Sequence, residues 1–400
     1  MNHARLPFLL ALLTMIGALG IDTYLPAFHA IGLAFDAPPL AVQQTLGIYV
    51  ACMSITMLFS GTLSDSFGRR RVLLVSLVGF TLTSAAAALA TSIEMLIALR
   101  ALQGLTAGAG MVVSRAMVQD LYKDAEAQRV MATVTMVFSV APAVAPVLGG
   151  VLQAATGWRS IFVFLTLYGL LLWLLCQRAL PETLPAAQRA AFRPREVLAR
   201  YVESLRHPNF VLLALSIALV FGGVPLYIGS AASFIMTVLG KSETAFGWLF
   251  IPLIGGTLIG SWLAHRLARQ VAPDTLQAAG LWLGLLAALV NVGYAAFWEV
   301  RLPYAVLPLM LYTLGMGLFL PVMMLRVLNI FAHMRGLAAS MQSFVQMMTF
   351  SLISSFVAPL VMDSALAIAV AMLACMSAGL ALLWLANRVA TPPVQDRANA

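Results

Sequence analysis

The chain has 400 residues, of which 62% are hydrophobic and only 10% charged. A soluble domain carries about 25% charged residues, so this composition excludes a water-soluble enzyme and points to a polytopic membrane protein. The formal net charge of +8 then reads as membrane topology and not as a nucleic-acid partner.

Measured against the ~20 residues a helix needs to cross a bilayer, the apolar runs give twelve crossings. They fall at 6–28, 41–62, 71–91, 94–117, 130–153, 160–177, 210–238, 244–265, 275–296, 303–331, 337–361 and 364–386. Of the 23 Lys and Arg residues, 17 fall in segments on the N-terminal side of the membrane, including Arg335, Arg388 and Arg397. Three (Arg159, Lys241 and Arg301) fall on the opposite side, and Arg100, Arg115 and Arg326 lie within runs. The positive-inside rule therefore predicts that both termini are cytoplasmic. The first run follows Arg5 but shows no small-x-small cleavage site before Asp22, so it is expected to remain as a helix. Cys52, Cys176 and Cys375 lie in separate runs without metal or disulfide spacing.

Asp22 closes an uncharged stretch, Leu6 to Gly20. A carboxylate within a crossing costs roughly 2.5–3.5 kcal/mol on insertion scales and is by default functional. Pro26 has no N–H, so the Asp22 carbonyl loses its helical partner and a hydrated polar spot is expected there. On this stretch alone, an acid that merely marks the helix end at the interface remains the competing reading. His29 lies further along the same run.

Between the second and third runs stands Gly61-Thr-Leu-Ser-Asp65-Ser-Phe-Gly68-Arg69-Arg70-Arg71. Gly61 is expected to let helices approach and Gly68 to permit a tight turn. Asp65 and the arginines are expected to pair at the rim with each other or with Asp120, and Arg115 to join them.

Arg100 begins the fourth run's polar set. At 1.5 Å per residue, Asp22 lies roughly 24 Å from one face and Arg100 roughly 9 Å from the other. In a core about 30 Å thick these are similar depths, so the two are natural ion-pair partners. In the fifth run Pro142 and Pro146 remove backbone donors, and Gly149 and Gly150 extend the irregular stretch, predicting a bend and close packing.

Residues 179–209 form a basic linker in which Arg195–Arg206 reads as an amphipathic helix on the membrane surface. It divides the chain into six-helix bundles at 1–178 and 210–390, followed by a tail at 391–400. At an offset of 199, Pro26 falls on Pro225, Gly61 on Gly260 and Arg70 on Arg269. The fold class expected is an all-α membrane protein of twelve helices in two pseudo-symmetric six-helix bundles, with a site between them. Tyr49, Tyr227, Tyr312, Gln342 and Gln346 are candidates for its walls, with ordinary packing the competing reading for each. Arg326 is expected to snorkel to the interface. With no nucleotide-binding loop, metal cluster or catalytic triad, neither a cofactor nor an enzyme activity is expected, and the proton gradient is the natural energy source.

The Gly61–Arg71 stretch resembles the signature loop of the major facilitator superfamily, G-x-L-x-D-x-x-G-R-[RK]. Arg100-Ala-Leu-Gln103-Gly104 resembles the family's R-x-x-Q-G. Ala141-Pro-Ala-Val-Ala145-Pro146-Val-Leu-Gly149-Gly150 is similar to its drug–proton antiporter motif, with alanines for the first two glycines. Asp22-Thr-Tyr-Leu-Pro26 resembles the D-x-Y-L-P of the Bcr/CflA drug exporters. The resemblance implies proton-coupled efflux of small drug-like molecules from a bacterial inner membrane by alternating access, the protein acting as a monomer. Its partners would be a small-molecule substrate, protons and lipid. It further implies that Asp22 and Arg100 couple protons, with Arg100 and Gln103 reaching substrate. The Gly61–Arg70 loop, with Arg115 and Asp120, would latch the cytoplasmic side. Export of one metabolite, such as a purine or amino-acid derivative, is the alternative; a transporter-like receptor or scaffold is a remoter one.

Overall fold

The computed structural model describes residues 5–189, 191–268, 270–331 and 335–389. The expected tail at 391–400 and Arg269, the repeat partner of Arg70, lie outside the described residues. Among these, every regular element is helical. The crossings are α1 Leu6–Phe35, α2 Pro39–Phe67, α3 Arg69–Ala88, α4 Ile93–Leu121, α5 Glu126–Thr156 and α6 Arg159–Ala179. Next comes α7, assembled from Pro208–Phe221, Gly223–Gly229 and a wide turn at Ser233–Val238. The rest are α8 Glu243–Leu267, α9 Pro273–Phe297, α10 Tyr304–Ile330, α11 Gly336–Val361 and α12 Ala365–Arg388. Eleven of these are long and apolar enough to cross a membrane, and α7 is the most fragmented. The chain is a multi-pass membrane protein.

Local chemistry sets the ends and breaks. Gly68, at φ 95°, takes the turn between α2 and α3 that a side chain would strain. The Ser92 hydroxyl caps α4 by accepting from the Met95 amide at 3.2 Å. Regular helix in α1 stops at Asp22, and Pro26 lies in a tighter turn, Leu25–Ala27, before the helix resumes. In α7 the break comes at Gly222, followed by Pro225. Thr23 and Gly222 stand at the same offset of 199 as the two prolines, so the faint repeat marks equivalent breaks.

The two bundles, α1–α6 and α7–α12, meet along a seam where α2 packs on α11 and α5 on α8. Within each bundle, small residues let backbones touch. A Cβ on Gly104 would overlap the Tyr49 carbonyl of α2, and one on Gly260 would overlap the Leu314 carbonyl of α10. Gly61 is a correction: its nearest neighbour, Val112 Cγ1, lies 4.0 Å from a would-be Cβ, so the loop's first glycine admits a side chain. The Pro194–Arg206 helix forms as expected and meets α7 at 84°. Its Tyr201 hydroxyl donates to the Leu58 carbonyl at 2.7 Å, tying the linker to α2.

Candidate functional site: a central cavity and a sealed arginine

A cavity of about 380 Å³ lies between the bundles, lined by α1, α2, α4 and α5 on one side and by α7, α8, α10 and α11 on the other. Its walls are largely apolar and carry methionines and phenylalanines, including Met53, Met111, Met316, Phe138, Phe250 and Phe350. Asp22 is the acid in that wall, 4% exposed, with Thr14, Ser139, Thr257 and Gln346 as the polar neighbours. Pro142 also lines it, within a helix that continues through both prolines to Thr156, so the expected irregular stretch in α5 is regular helix. The α1 break explains why the acid stands there: Asp22 is the last residue of the regular helix and has Pro26 one turn on.

Arg100 corrects the expected ion pair. It is fully buried, and Asp22 is not its partner. Its Nη2 donates to the Gly20 carbonyl at 3.0 Å, its Nε to the Thr45 carbonyl at 3.3 Å, and its Nη1 to Gln103 Oε1 at 2.7 Å. The guanidinium lies between two tyrosine rings, 4.5 Å from the centroid of Tyr24 and 4.0 Å from that of Tyr49. The depth estimate was sound, since Arg100 reaches a residue only two before Asp22. Residues two apart on a helix point about 200° apart, so Gly20 turns toward α4 while Asp22 turns to the cavity. Arg100 thus cross-links α1, α2 and α4 behind the wall.

The same displacement applies to other expected contacts. Gln103 donates from Nε2 to Ser84 Oγ at 2.7 Å, and the Tyr49 hydroxyl to the Gly17 carbonyl at 3.3 Å. Tyr227 accepts from Asn291 Nδ2 at 2.8 Å, and Tyr312 donates to the Val220 carbonyl at 2.5 Å. A phenol in an apolar slab seeks such a partner, which draws these rings into helix seams. Gln342 is 1% exposed and lies outside the cavity wall, so of the two glutamines only Gln346 reaches it. Arg326 reaches the ends of two neighbouring helices, donating to Gln277 Oε1 at 3.0 Å near the start of α9 and to Asn387 Oδ1 at 2.7 Å near the end of α12.

The loop cluster is assembled with one change of member. Arg69 contacts Asp65 at 2.5 Å, Asp120 at 3.1 Å and the Ser64 hydroxyl at 2.5 Å. Arg70 donates to the Gln177 carbonyl at 2.9 Å. Arg115 is exposed and makes neither of its expected pairs. Five residues on a helix turn about 140° beyond a full circle, so Arg115 cannot share a face with Asp120. Glu182, which the sequence reading missed, accepts from the Arg69 amide at 2.9 Å, and the Thr183 hydroxyl donates to Asp120 at 2.8 Å. A Cβ on Gly68 would lie 2.5 Å from Glu182 Oε2, the movable end of that side chain, so it is the positive φ that calls for glycine here. All of these partners belong to α2, α3, α4, α6 and the segment after it, so in this arrangement the cluster binds one half together and does not bridge the two.

Bridging occurs at the end remote from that loop. Gln43 Nε2 donates to the Gly229 carbonyl, Gln44 Nε2 to the Ser355 carbonyl at 3.2 Å, and the Ser351 hydroxyl to the Gly47 carbonyl at 2.8 Å. A Cβ on Gly150 would overlap the Glu243 carbonyl across the seam, and one on Gly149 the Thr23 carbonyl. Pro146 is buried beside them. Gly150→Ala is therefore expected to pry α5 from the start of α8 and favour opening at this end. In a Val42→Cys background, an impermeant maleimide should label the variant several-fold faster; an unchanged rate would count against a gate here.

A Major Facilitator Superfamily model matches residues 10–359. The Haemophilus influenzae protein named Bicyclomycin resistance protein homolog is 29% identical over 317 residues, 76% of this chain and 79% of that one. Multidrug resistance protein D of Escherichia coli is 28% identical over 345 residues, 85% of each chain. Among solved structures, a bacterial homolog of the human lysosomal transporter Spinster, inward-facing and occupied, aligns with a TM-score of 0.75 at 16% identity, covering 99% of both chains.

Proposed function

Because this chain belongs to the Major Facilitator Superfamily, we propose that it exports small drug-like molecules in exchange for protons, by alternating access between its two bundles. The observation that carries this reading is Asp22, a buried carboxylate in the wall of an otherwise largely apolar cavity between the halves. An unpaired charge there is costly, and either a proton or a substrate cation removes the cost. Occupancy by one or the other then allows the carrier to change conformation. Methionine and phenylalanine walls adapt to varied apolar shapes, and a carboxylate without an accessible arginine disfavours anions. The substrates are accordingly lipophilic neutral or cationic molecules.

The lysine and arginine distribution supports an orientation with the Arg69 loop and both termini in the cytoplasm, and the membrane of this reading is a bacterial inner membrane. On that orientation the Gln43, Gln44 and Ser351 bonds close the outer side, and the protein is inward-facing, working as a monomer. The Arg69 cluster keeps α2, α3 and α4 moving as one body. Replacing Asp65 and Asp120 by asparagine leaves the Arg69 guanidinium without a carboxylate, and thermal unfolding of the purified variant should come several degrees earlier. An unshifted curve would leave the cluster without this stiffening role.

Export is tested in a pump-deficient bacterial host. Expression should lower accumulation of a lipophilic cationic dye, and a protonophore should restore it. Equal accumulation with and without the protein, across a panel of such dyes, would refute the reading.

A further inference from the structure

A second cavity, of about 370 Å³, lies beyond the closed seam at the end remote from the Arg69 loop. Both bundles build it: the end of α1 and start of α2 from one, α7 and the residues after α11 from the other. Asp36, Asp363 and His29 stand in its wall, and among the described residues no lysine or arginine does. Asp363 Oδ1 accepts from the Ser233 hydroxyl at 3.1 Å, which positions that carboxylate.

Gln43 gives the acidic wall a further meaning. This wall residue is 2% exposed; its Nε2 is used on the Gly229 carbonyl, while its Oε1 has no donor. Ser230, in the next position of α7, is fully buried with its hydroxyl also unpartnered. Leaving a buried acceptor unmade costs about 1–3 kcal/mol, which a bound N–H donor would recover. The remaining wall includes Phe28, Leu33, Met236 and Met362, a surface suited to hydrocarbon.

We propose that this cavity binds a small organic cation that carries an N–H donor on an apolar body. The ammonium lies between Asp36 and Asp363, an N–H reaches Gln43 Oε1, and the hydrocarbon rests on Phe28 and Met236. A hydrated inorganic cation would satisfy the carboxylates but would leave the apolar half of the wall unused. A quaternary ammonium would leave Gln43 Oε1 unpaired. The site's place on an export route, as a stop beyond the outer seam, rests on the function proposed above; its chemistry does not.

The test uses the full chain in lipid nanodiscs and monodansylcadaverine, a fluorescent primary ammonium, read by anisotropy. Asp22→Asn serves as the background, so that the carboxylate of the central cavity is absent. Saturable binding should persist in that background. It should weaken by at least about tenfold in Asp36→Asn/Asp363→Asn and again in Gln43→Leu. The N-trimethyl analogue of the probe should bind the Asp22→Asn protein at least about tenfold more weakly than the probe itself. Binding that vanishes with Asp22→Asn alone, or that ignores the Asp36 and Asp363 changes, would overturn the proposal. So would displacement by millimolar calcium with no preference for the primary ammonium. Export is read separately, across the dye panel above: absent export with retained binding of this probe would refute the export function and leave this site standing.

Discussion

Asp22→Asn is expected to reduce proton-coupled export to background while leaving the folded yield near that of the wild type. The carboxylate takes no part in the packing that holds α1, because the neighbouring bonds run through the Gly20 carbonyl, Arg100 and Thr45. Asparagine is nearly isosteric and removes only the ability to carry a proton or neutralise a cation. Removing an unpaired charge from an apolar wall costs no stability on insertion scales, where an aspartate is disfavoured by roughly 2.5–3.5 kcal/mol. The measurement is substrate-induced proton release from purified protein, together with dye export in cells. Release should be lost, and export should fall by well over about tenfold. Proton release that persists undiminished in the variant would move the coupling role to another group.

Arg100→Ala is expected to act differently, by loss of folded protein. The change strands the Gly20 and Thr45 carbonyls and Gln103 Oε1 in a fully buried place, and empties the space between Tyr24 and Tyr49. Hydrogen bonds to a charged group are worth roughly 1.5–3 kcal/mol each, so three of them are a large share of a typical folding free energy. The melting temperature of the detergent-purified protein should fall by at least about 5 °C. Arg100→Lys should recover only part of the loss, because one ammonium cannot span three acceptors and stack on two rings. In the lysine variant that does fold, substrate affinity should keep the wild-type dependence on pH. A normally folded Arg100→Ala protein whose affinity no longer responds to pH would restore the sequence-derived picture, in which proton and substrate compete through this arginine.

The contrast between these two residues shows what was legible beforehand. Both stand out in the sequence for the same reason, an ionisable group within an apolar run, and both lie at one level along their helices, as residue counting gives. The pairing drawn from that depth failed because depth is one coordinate of three. A second lesson comes from the loop: Asp65, Arg69 and Asp120 assemble as their motif implies, whereas Arg115 points elsewhere and Glu182 supplies a partner from sixty residues beyond Asp120. Glu182 carried one usable signal, an acid next to Pro181 directly after a crossing and facing a basic loop.

The sequence by itself determined the crossings, the breaks in α1 and α7 and the Asp65–Arg69–Asp120 core of the loop cluster. Those follow from local terms: apolar length against bilayer thickness, the missing N–H of Pro26 and Pro225, and the positive φ that Gly68 alone accepts without strain. Only the tertiary structure decided which way each helix is turned about its axis. Lipid is as apolar as leucine, so hydrophobic patterning does not fix that rotation. It is set instead by close backbone contacts at glycines and by hydrogen bonds between helices. That is why Asp22 faces a cavity while Arg100, Tyr49, Tyr227 and Tyr312 face carbonyls, rings and amides behind its wall. It is also why Gln43, an unremarkable residue in the sequence, stands at the join of the two halves.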